Sequence, residues 1–359
     1  MNFDLSEEQQ LLQQTLRGFL ENECPAARVR ELFDAAPAND PALWKGFAEL
    51  GFTGLLVPET YGGAGLSLLD AVAATEVLGE GATPGPWAAH TLACLAIAKA
   101  GSDAQKQRWL PRLASGEALG TLALAEAGER WQPSEWQLAP GGGALRGEKL
   151  AVPAASAADV VVVGLAGGEL ALVDAKNAAV ACEAADVLDR TRVFSHVRFD
   201  DAPCELLPAG REFAERLRDA ALVLLASDAQ GGAARCVALA VAYAKQREQF
   251  GTTIGHFQAL KHQLANLALE SEPNRPLVWY AAHAWDHAQA DAPLVAAHAK
   301  AHVTDAFLRI ARGTVEAHGG VGYTWECEVH WWLKRALYDR AWLGSPRVHR
   351  LRAAQLNGW

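Results

Sequence analysis

YAKQREQFGTTIGHFQALKHQLA occupies residues 243–265 and shows how the C-terminal half of the chain is organised. From Glu212 onward the chain is rich in Ala and Leu, which predicts long helices, and the glycines at 251 and 255 break them inside this stretch. Further breaks are predicted at residues 273–276, 291–293 and 319–322. An interior Pro costs a helix ~3 kcal/mol, so we predict that one helix ends and another begins near Pro273.

Upstream of these helices the hydrophobic pattern becomes that of strands. Residues 160–163, 170–173 and 193–199 are β-branched or alternating, and Gly pairs or an Asp-Asp-Ala-Pro run separate them. Several strands at close spacing, with no helix between them, predict a small antiparallel barrel or sandwich. Residues 1 to about 115 show helical spacing again, and Ser6 with Gln9 forms a candidate capping box. The predicted order is therefore helices, strands, helices.

Composition excludes several classes of protein. The chain has 359 residues, of which 50% are hydrophobic and 21% charged, enough for two or three domains with sizeable cores. Its longest apolar runs fall short of the ~18 residues that a membrane span needs. The net charge of -10 argues against nucleic acid as a partner. No secretory signal is visible at the N-terminus, so we expect a cytoplasmic location. The six scattered cysteines predict buried, reduced thiols.

Four stretches together resemble the acyl-CoA dehydrogenase family. They are residues 243–265, already quoted, with LWKGFAELGFTGLLVPETYGGAGLS (43–67), AQKQRWLPRLASGE (104–117) and EAHGGVGYTWECEVHWWLKRA (316–336). The resemblance covers nearly the whole chain and implies a mainly α protein with a central β domain. The implied domains are an N-terminal all-helical domain (1–117), a middle β-barrel (118–206) and a C-terminal four-helix bundle (207–359). It also implies FAD held across a subunit interface, and so at least a dimer.

The chemistry of that family implies a function. A carboxylate base removes the α-proton of an acyl-CoA thioester while the β-hydrogen passes to the flavin, so a base and a flavin cradle are both required. The resemblance therefore implies an oxidoreductase that desaturates the α,β bond of an acyl-CoA. An electron-transferring flavoprotein is the acceptor that the family implies, because the reduced flavin must be re-oxidised.

Part of the implied cradle lies in the C-terminal half. By resemblance, Arg247 and the backbone near Gln249 and Phe250 would meet the pyrophosphate of the FAD in a neighbouring subunit. A guanidinium there can make paired, charge-assisted hydrogen bonds. For an Arg at a helix end the alternative is a solvated charge that complements the helix dipole. Gln258 belongs to the same implied surface.

The glycine pair near residue 320 extends this cradle. Gly319 and Gly320 would allow the backbone to approach the adenosine portion closely, as only residues without a Cβ can. His318 beside them could reach the cofactor or hold the turn. Glu316 replaces a Gln that the family commonly has, and its carboxylate would repel a pyrophosphate unless protonated or paired.

Two flavin-contacting segments depart from the family. The stretch after the first strand is usually an Ala-x-Thr-Glu-Pro-Gly-like run, and here residues 124–131 read LAEAGERW, without hydroxyl ligands. A Trp-Ile-Thr-like trio becomes Leu-Ala-Val at residues 150–152, after Lys149. We expect FAD binding to be weakened or altered by these changes.

The catalytic base is absent from both places where the family has it. By resemblance Leu343 occupies the usual Glu position, and Ala221 occupies the position on an earlier helix that a smaller group uses. Asp228 lies seven residues after Ala221 on the same helical face and is our candidate base, the alternative being an exposed or capping polar residue. Two hypotheses remain open: a desaturating enzyme acting alone or with a partner chain, or a subunit without a base that completes the flavin site of a related partner.

These departures resemble one chain of the two-chain acyl-CoA dehydrogenases, in which only one of two similar subunits supplies the base. The block Thr324-Trp325-Glu326 and the residues after it resemble this bacterial branch. Its members often take bulkier or more polar thioesters, including steroid side-chain and dicarboxylic acyl-CoAs.

Two histidine pairs at i,i+4 spacing, His283 with His287 and His298 with His302, could bind Zn or Cu, or could line solvated or packed faces. No Cys ligand lies near them and no Glu-x-x-His motif occurs, so we expect no metal site.

Overall fold

Helices fill most of the chain before residue 115 and after residue 210 in the computed structural model, which describes residues 4–37 and 39–359. The helices are α1 (Glu7–Glu23), α2 (Ala26–Ala35), α3 (Pro41–Glu49), α4 (Leu68–Glu80), α5 (Trp87–Ala100), α6 (Asp103–Ala114), α7 (Gly210–Gln246), α8 (Gln258–Ser271), α9 (Asn274–Asp286), α10 (Ala292–His318), α11 (Val329–Ala341) and α12 (Pro346–Leu356). Strands occupy the middle of the sequence, so the predicted order of helices, strands, helices is confirmed.

Two four-stranded sheets form the β region. The strands are β1 (Gly120–Ala123), β2 (Pro140–Gly141), β3 (Ala144–Pro153), β4 (Val160–Leu165), β5 (Glu169–Asp174), β6 (Val180–Ala184), β7 (Phe194–Pro203) and β8 (Glu205–Leu206), with the short pair β9 (Glu248–Gln249) and β10 (Thr252–Thr253) after α7. One sheet has the order β1-β4-β5-β8 and the other β2-β3-β7-β6. Buried residues of both sheets form one hydrophobic cluster, which includes Val161 and Val163 from β4 and Val197 and Phe199 from β7. The sheets therefore pack face to face.

One feature of the sheets differs from the antiparallel arrangement that we predicted. β1 pairs with β4 in parallel, with Gly120 opposite Val160 and Ala123 opposite Val163. Between these two strands the chain enters the other sheet as β2 and β3, and β4 then returns beside β1 in the same direction. A strand pattern cannot reveal such a crossover, because the hydrophobic period is the same in both directions.

The structure confirms the helix boundaries that the sequence predicted from a capping box, a proline and glycines. Ser6 and Gln9 form the capping box of α1, with Gln9 N–H donating to Ser6 Oγ at 3.2 Å and Ser6 N–H donating to Gln9 Oε1 at 3.0 Å. α8 ends at Ser271 and α9 begins at Asn274, which confirms the break near Pro273. Breaks also follow α7, α9 and α10 at the predicted places.

By its internal contacts the chain divides into two units. The first contains the residues up to Arg30, Val72–Thr83 and Leu222–Trp359, and the second contains Glu31–Ala71 and Pro84–Ala221. The three-domain division at residues 117 and 206 follows the order of secondary structure and stays a prediction. α7 is long and apolar enough to cross a membrane, but 72% of its apolar window is buried inside the fold, as in the core helix of a soluble protein.

Candidate functional site

Residues predicted to hold FAD lie on the hairpin that follows α7. The backbone turns back at Phe250, which has a φ of 56°, and Ile254 N–H donates to the carbonyl oxygen of Arg247 at 2.8 Å. β9 pairs with β10 across this turn. Arg247 and Gln249 are exposed, and the Phe250 side chain is 92% exposed. The hairpin thus presents a guanidinium, an amide and an aromatic ring on the surface of the first unit.

Two contacts connect this hairpin region with the end of α10. The ring of Tyr243, on the last turn of α7, stacks on His318 with centroids 4.3 Å apart. Gln263 on α8 donates to a Glu316 carboxylate oxygen over 3.5 Å, a long contact. The ends of α7 and α10 and the first half of α8 are therefore neighbours. This arrangement brings the predicted residues to one region, and all of them are exposed: Arg247, Gln249, Phe250, Gln258, Glu316, Gly319 and Gly320.

The backbone at Gly319 and Gly320, directly after α10, is exposed. Gly319 has a φ of 63°, which favours glycine, and no atom lies within 4 Å of a Cβ built on Gly319 or Gly320. His318 is buried, and its Nδ1 contacts the carbonyl oxygen of Thr314 at 2.8 Å, so it holds the end of the helix. An exposed guanidinium, the exposed ring of Phe250 and accessible backbone are groups of the kind that a ligand with a diphosphate and an adenine, such as the distal half of FAD, would require. The exposed Glu316 carboxylate on the same surface would repel the diphosphate.

The second unit contains the segment after β1, where the family contacts flavin. Within this segment, the Glu126 carboxylate accepts three hydrogen bonds. One carboxylate oxygen accepts from the Lys149 ammonium at 2.6 Å and from Leu138 N–H at 3.0 Å, and the other accepts from Gln137 N–H at 2.7 Å. Lys149 is fully buried, and its nitrogen lies 5.3 Å from the ring centroid of Trp136. Sequence reasoning passed over this ion pair.

Burial and pairing act on both ionisable groups. Burial alone would raise the pKa of Glu126, but the Lys149 ammonium and the two backbone donors outweigh it, so that pKa lies below its usual value. Burial lowers the pKa of Lys149 to about 8, against the opposing effect of Glu126. The two charges meet at 2.6 Å, and each favours the ionised form of the other against the effect of burial. Little in the sequence signals this pair, because Lys149 stands between Glu148 and Leu150 in a stretch for which no strand is predicted.

Neither family position for the base offers a proton acceptor. Leu343 and Ala221 are both fully buried. Leu343 has a φ of 59°, and its carbonyl oxygen accepts a hydrogen bond from His349 Nε2 at 2.9 Å, which fixes the turn between α11 and α12. These apolar side chains agree with the sequence interpretation that this chain has no Glu at either position.

Asp228 occupies a different environment from the one that a general base needs. Its two carboxylate oxygens accept from Arg335 Nε at 2.6 Å and Arg335 Nη2 at 2.5 Å, and both residues are buried. Arg335 Nη1 also donates to the carbonyl oxygen of Thr83 at 3.1 Å. A bidentate guanidinium stabilises the charged carboxylate and engages both of its oxygens, so this carboxylate is a poor acceptor for a proton from a substrate. The geometry favours a structural role for Asp228 over the predicted catalytic one.

The predicted histidine pairs do not form a larger cluster. Within residues 4–37 and 39–359 there is no group of three or more His, Cys, Asp or Glu side chains placed to hold a metal ion. The rings of His283 and His287 lie 4.1 Å apart, and His287 Nδ1 contacts the carbonyl oxygen of His283 at 2.8 Å.

Comparison with known proteins gives this arrangement its context. The family model "Acyl-CoA dehydrogenase, N-terminal domain" matches residues 6–117, and "Acyl-CoA dehydrogenase, C-terminal domain" matches residues 214–356. A relative named Acyl-CoA dehydrogenase IpdE2, from Mycobacterium tuberculosis, is 32% identical over 95% of this chain and 94% of its own length. The chain belongs to the acyl-CoA dehydrogenase family.

Solved structures of family members share its architecture. Butyryl-CoA dehydrogenase from Megasphaera elsdenii superposes with a TM-score of 0.90 at 25% identity over 100% of both chains. A structure described as the Tcur3481-Tcur3483 steroid ACAD superposes with a TM-score of 0.90 at 29% identity over 98% of both chains. The acyl-CoA dehydrogenase fold, mainly helical with a central β region, is thereby confirmed.

Proposed function

We propose that this chain is a FAD-binding subunit of an acyl-CoA dehydrogenase that desaturates the α,β bond of an acyl-CoA thioester. The observation that carries the proposal is the exposed surface at the ends of α7 and α10 in a chain that belongs to this family. Arg247 provides a cation for the pyrophosphate, and Gly319 and Gly320 provide open backbone for the adenosine portion. Oligomerisation follows, because this surface would serve the FAD of a neighbouring subunit.

The bound flavin would supply the hydride acceptor for the β-hydrogen. The residues of this chain would orient the cofactor, but none at the family positions can take the α-proton. Leu343 and Ala221 are buried and apolar, and Asp228 is engaged by Arg335. We therefore place the base on a related chain within a hetero-oligomer. The apolar Leu343 and Ala221 side chains also favour a second candidate function. In it, this chain completes the flavin site of its partner without catalysing the reaction itself.

The substrate and acceptor are proposed from the relatives. The similar solved structure described as a steroid ACAD supports a polycyclic or otherwise bulky acyl-CoA as substrate. The two components in its name support a second chain as partner. Re-oxidation by an electron-transferring flavoprotein and a cytoplasmic location complete the proposal, on the grounds of family resemblance.

Leu343→Glu tests where the base comes from. The variant restores a Glu-Gly pair, because Gly344 follows. If the site of this chain lacks only the base, the FAD-loaded variant turns over acyl-CoA thioesters and the wild-type chain alone does not. Leu343→Gln is the matched control, since it has the same size and polarity without a basic carboxylate. Turnover by the wild-type chain alone, equal to that of Leu343→Glu, would refute the proposal that a partner supplies the base.

A further inference from the structure

Glu316 carries a negative charge at a place where its own helix does not favour one. It lies in the last turn of α10, which ends at His318, and its backbone carbonyl oxygen accepts from the Gly319 N–H. A negative charge there faces the negative end of the helix dipole. In the described part of the chain no Lys or Arg side chain forms an ion pair with this carboxylate, and Gln263 donates to it over a long 3.5 Å. Helix stability therefore does not explain a Glu at this position.

A cation without an ion pair lies in the same region. Arg247 follows α7 directly and is exposed, and it forms no ion pair with any carboxylate that the structure describes. Its N–H donates to the carbonyl oxygen of Tyr243 at 2.8 Å, so the last helical turn, about 6 Å of rise, separates these two residues. The Tyr243 ring stacks on His318, two residues after Glu316. Both charges thus lie within a few residues of one aromatic stack, yet they do not pair with each other.

The adenosine half of a dinucleotide offers a matching pair of groups. A diphosphate is an anion, which a guanidinium binds through charge-assisted hydrogen bonds. A ribose is a neutral diol, and its hydroxyls donate to the carboxylate of an Asp or Glu in many dinucleotide sites. A carboxylate repels a diphosphate, so the two groups have to occupy different parts of the surface. Arg247 suits the diphosphate, and Glu316 suits the ribose.

We infer that Glu316 binds the hydroxyls of the adenosine ribose of FAD, with the diphosphate at Arg247 and the adenine beside the exposed backbone of Gly319 and Gly320. This inference rests on the proposed function. It gives the unpaired carboxylate hydrogen-bond donors that neither α10 nor α8 supplies at a short distance. It also makes the surface selective for an adenosine half with a ribose over one with a deoxyribose.

An FAD analogue that lacks the 2′-hydroxyl of its adenosine ribose tests the inference. Its Kd is compared with that of FAD by flavin fluorescence, using the oligomer in which the wild type binds FAD. The wild type should bind the analogue at least tenfold more weakly, because a charge-assisted hydrogen bond is lost. Glu316→Ala should bind the two ligands with equal Kd. Arg247→Met should weaken both by the same factor, because both contain the diphosphate.

Glu272→Ala is the matched control. Glu272 is also an exposed glutamate at a helix C-terminus, that of α8, and it lies nine residues beyond Gln263. This variant should discriminate between the two ligands as the wild type does. Thermal unfolding without ligand separates binding from a structural role. Because the dipole of α10 opposes the charge, Glu316→Ala should not lower the thermal midpoint.

Equal Kd values of the wild type for FAD and the analogue would overturn the inference. A tenfold difference that persists in Glu316→Ala would overturn it as well. Both results would leave the proposed function standing, because FAD would still bind. A wild-type chain that takes up no FAD, alone or with a related chain, would overturn the proposed function and this inference with it.

Discussion

Asp228→Asn removes the negative charge that faces the buried guanidinium of Arg335. The amide oxygen can still accept one of the two hydrogen bonds, and Arg335 keeps its bond to the carbonyl oxygen of Thr83. Breaking a buried ion pair by removing one partner costs about 3–5 kcal/mol. Because part of the hydrogen bonding survives, we expect a loss in the free energy of unfolding near the lower end, about 3 kcal/mol.

That loss converts into a measurable shift of the thermal midpoint. With an unfolding entropy of roughly 2 cal/mol/K per residue over a chain of this length, about 3 kcal/mol corresponds to a decrease of about 4 °C. Thermal unfolding followed by circular dichroism measures it. Glu270→Gln is the control, because its partner Arg309 is bound at 3.0 Å in an exposed pair that is worth about 1 kcal/mol or less.

Turnover separates the structural role of Asp228 from a catalytic one. If the carboxylate serves the fold, Asp228→Asn measured below its unfolding transition keeps the turnover of the wild-type oligomer. The double variant Asp228→Asn with Arg335→Met should recover part of the lost stability, because the unpaired guanidinium is gone. Loss of turnover with retained flavin and an unchanged thermal midpoint would refute this reasoning and identify Asp228 as the base.

Two further predictions concern the fold. Burial lowers the pKa of His90 to about 4, and its ring nitrogens contact Thr53 O at 3.0 Å and Gly120 N–H at 3.1 Å. The unfolded chain takes up this proton below about pH 6.5 and the folded chain only below about pH 4, so the free energy of unfolding should fall by up to about 3 kcal/mol as the pH drops between those values. Urea unfolding across that range measures it, and a wild-type slope no steeper than that of His90→Gln would contradict it. Gly79→Ala should destabilise the protein, because the new Cβ would lie 2.1 Å from a backbone oxygen of α7, whereas Gly18→Ala in the open part of α1 should stabilise it by up to about 1 kcal/mol. Equal thermal midpoints for these two variants would contradict the close approach of α4 and α7.

Local sequence signals predicted the elements well because they act over a few residues. The Ser6–Gln9 capping box, the Pro273 break and the glycine turn after α10 each depend on neighbours within one helical turn. The parallel pairing of β1 with β4 depends on the path of 36 intervening residues, from 124 to 159, and no local pattern records it.

In the candidate site, too, the sequence reveals the identity of a residue but not its contacts with residues far along the chain. Absence of a carboxylate at Leu343 and Ala221 could be read directly, since it needs only the identity of a residue at a family position. The environment of Asp228 could not, because its partner Arg335 lies 107 residues further along the chain. Glu126 and Lys149 are 23 residues apart in different segments, and only the fold brings the two charges together.

An anaerobic titration of the FAD-loaded protein with acyl-CoA thioesters, followed through the visible absorption band of the flavin, tests whether this chain can remove the α-proton. It is performed on the chain alone and on the chain co-expressed with a related acyl-CoA dehydrogenase chain that has Glu at the position of Leu343. We predict that the band persists with the chain alone, since no base removes the α-proton, and bleaches in the two-chain oligomer. Bleaching of the flavin in the chain alone would contradict it, because this chain would then supply its own base.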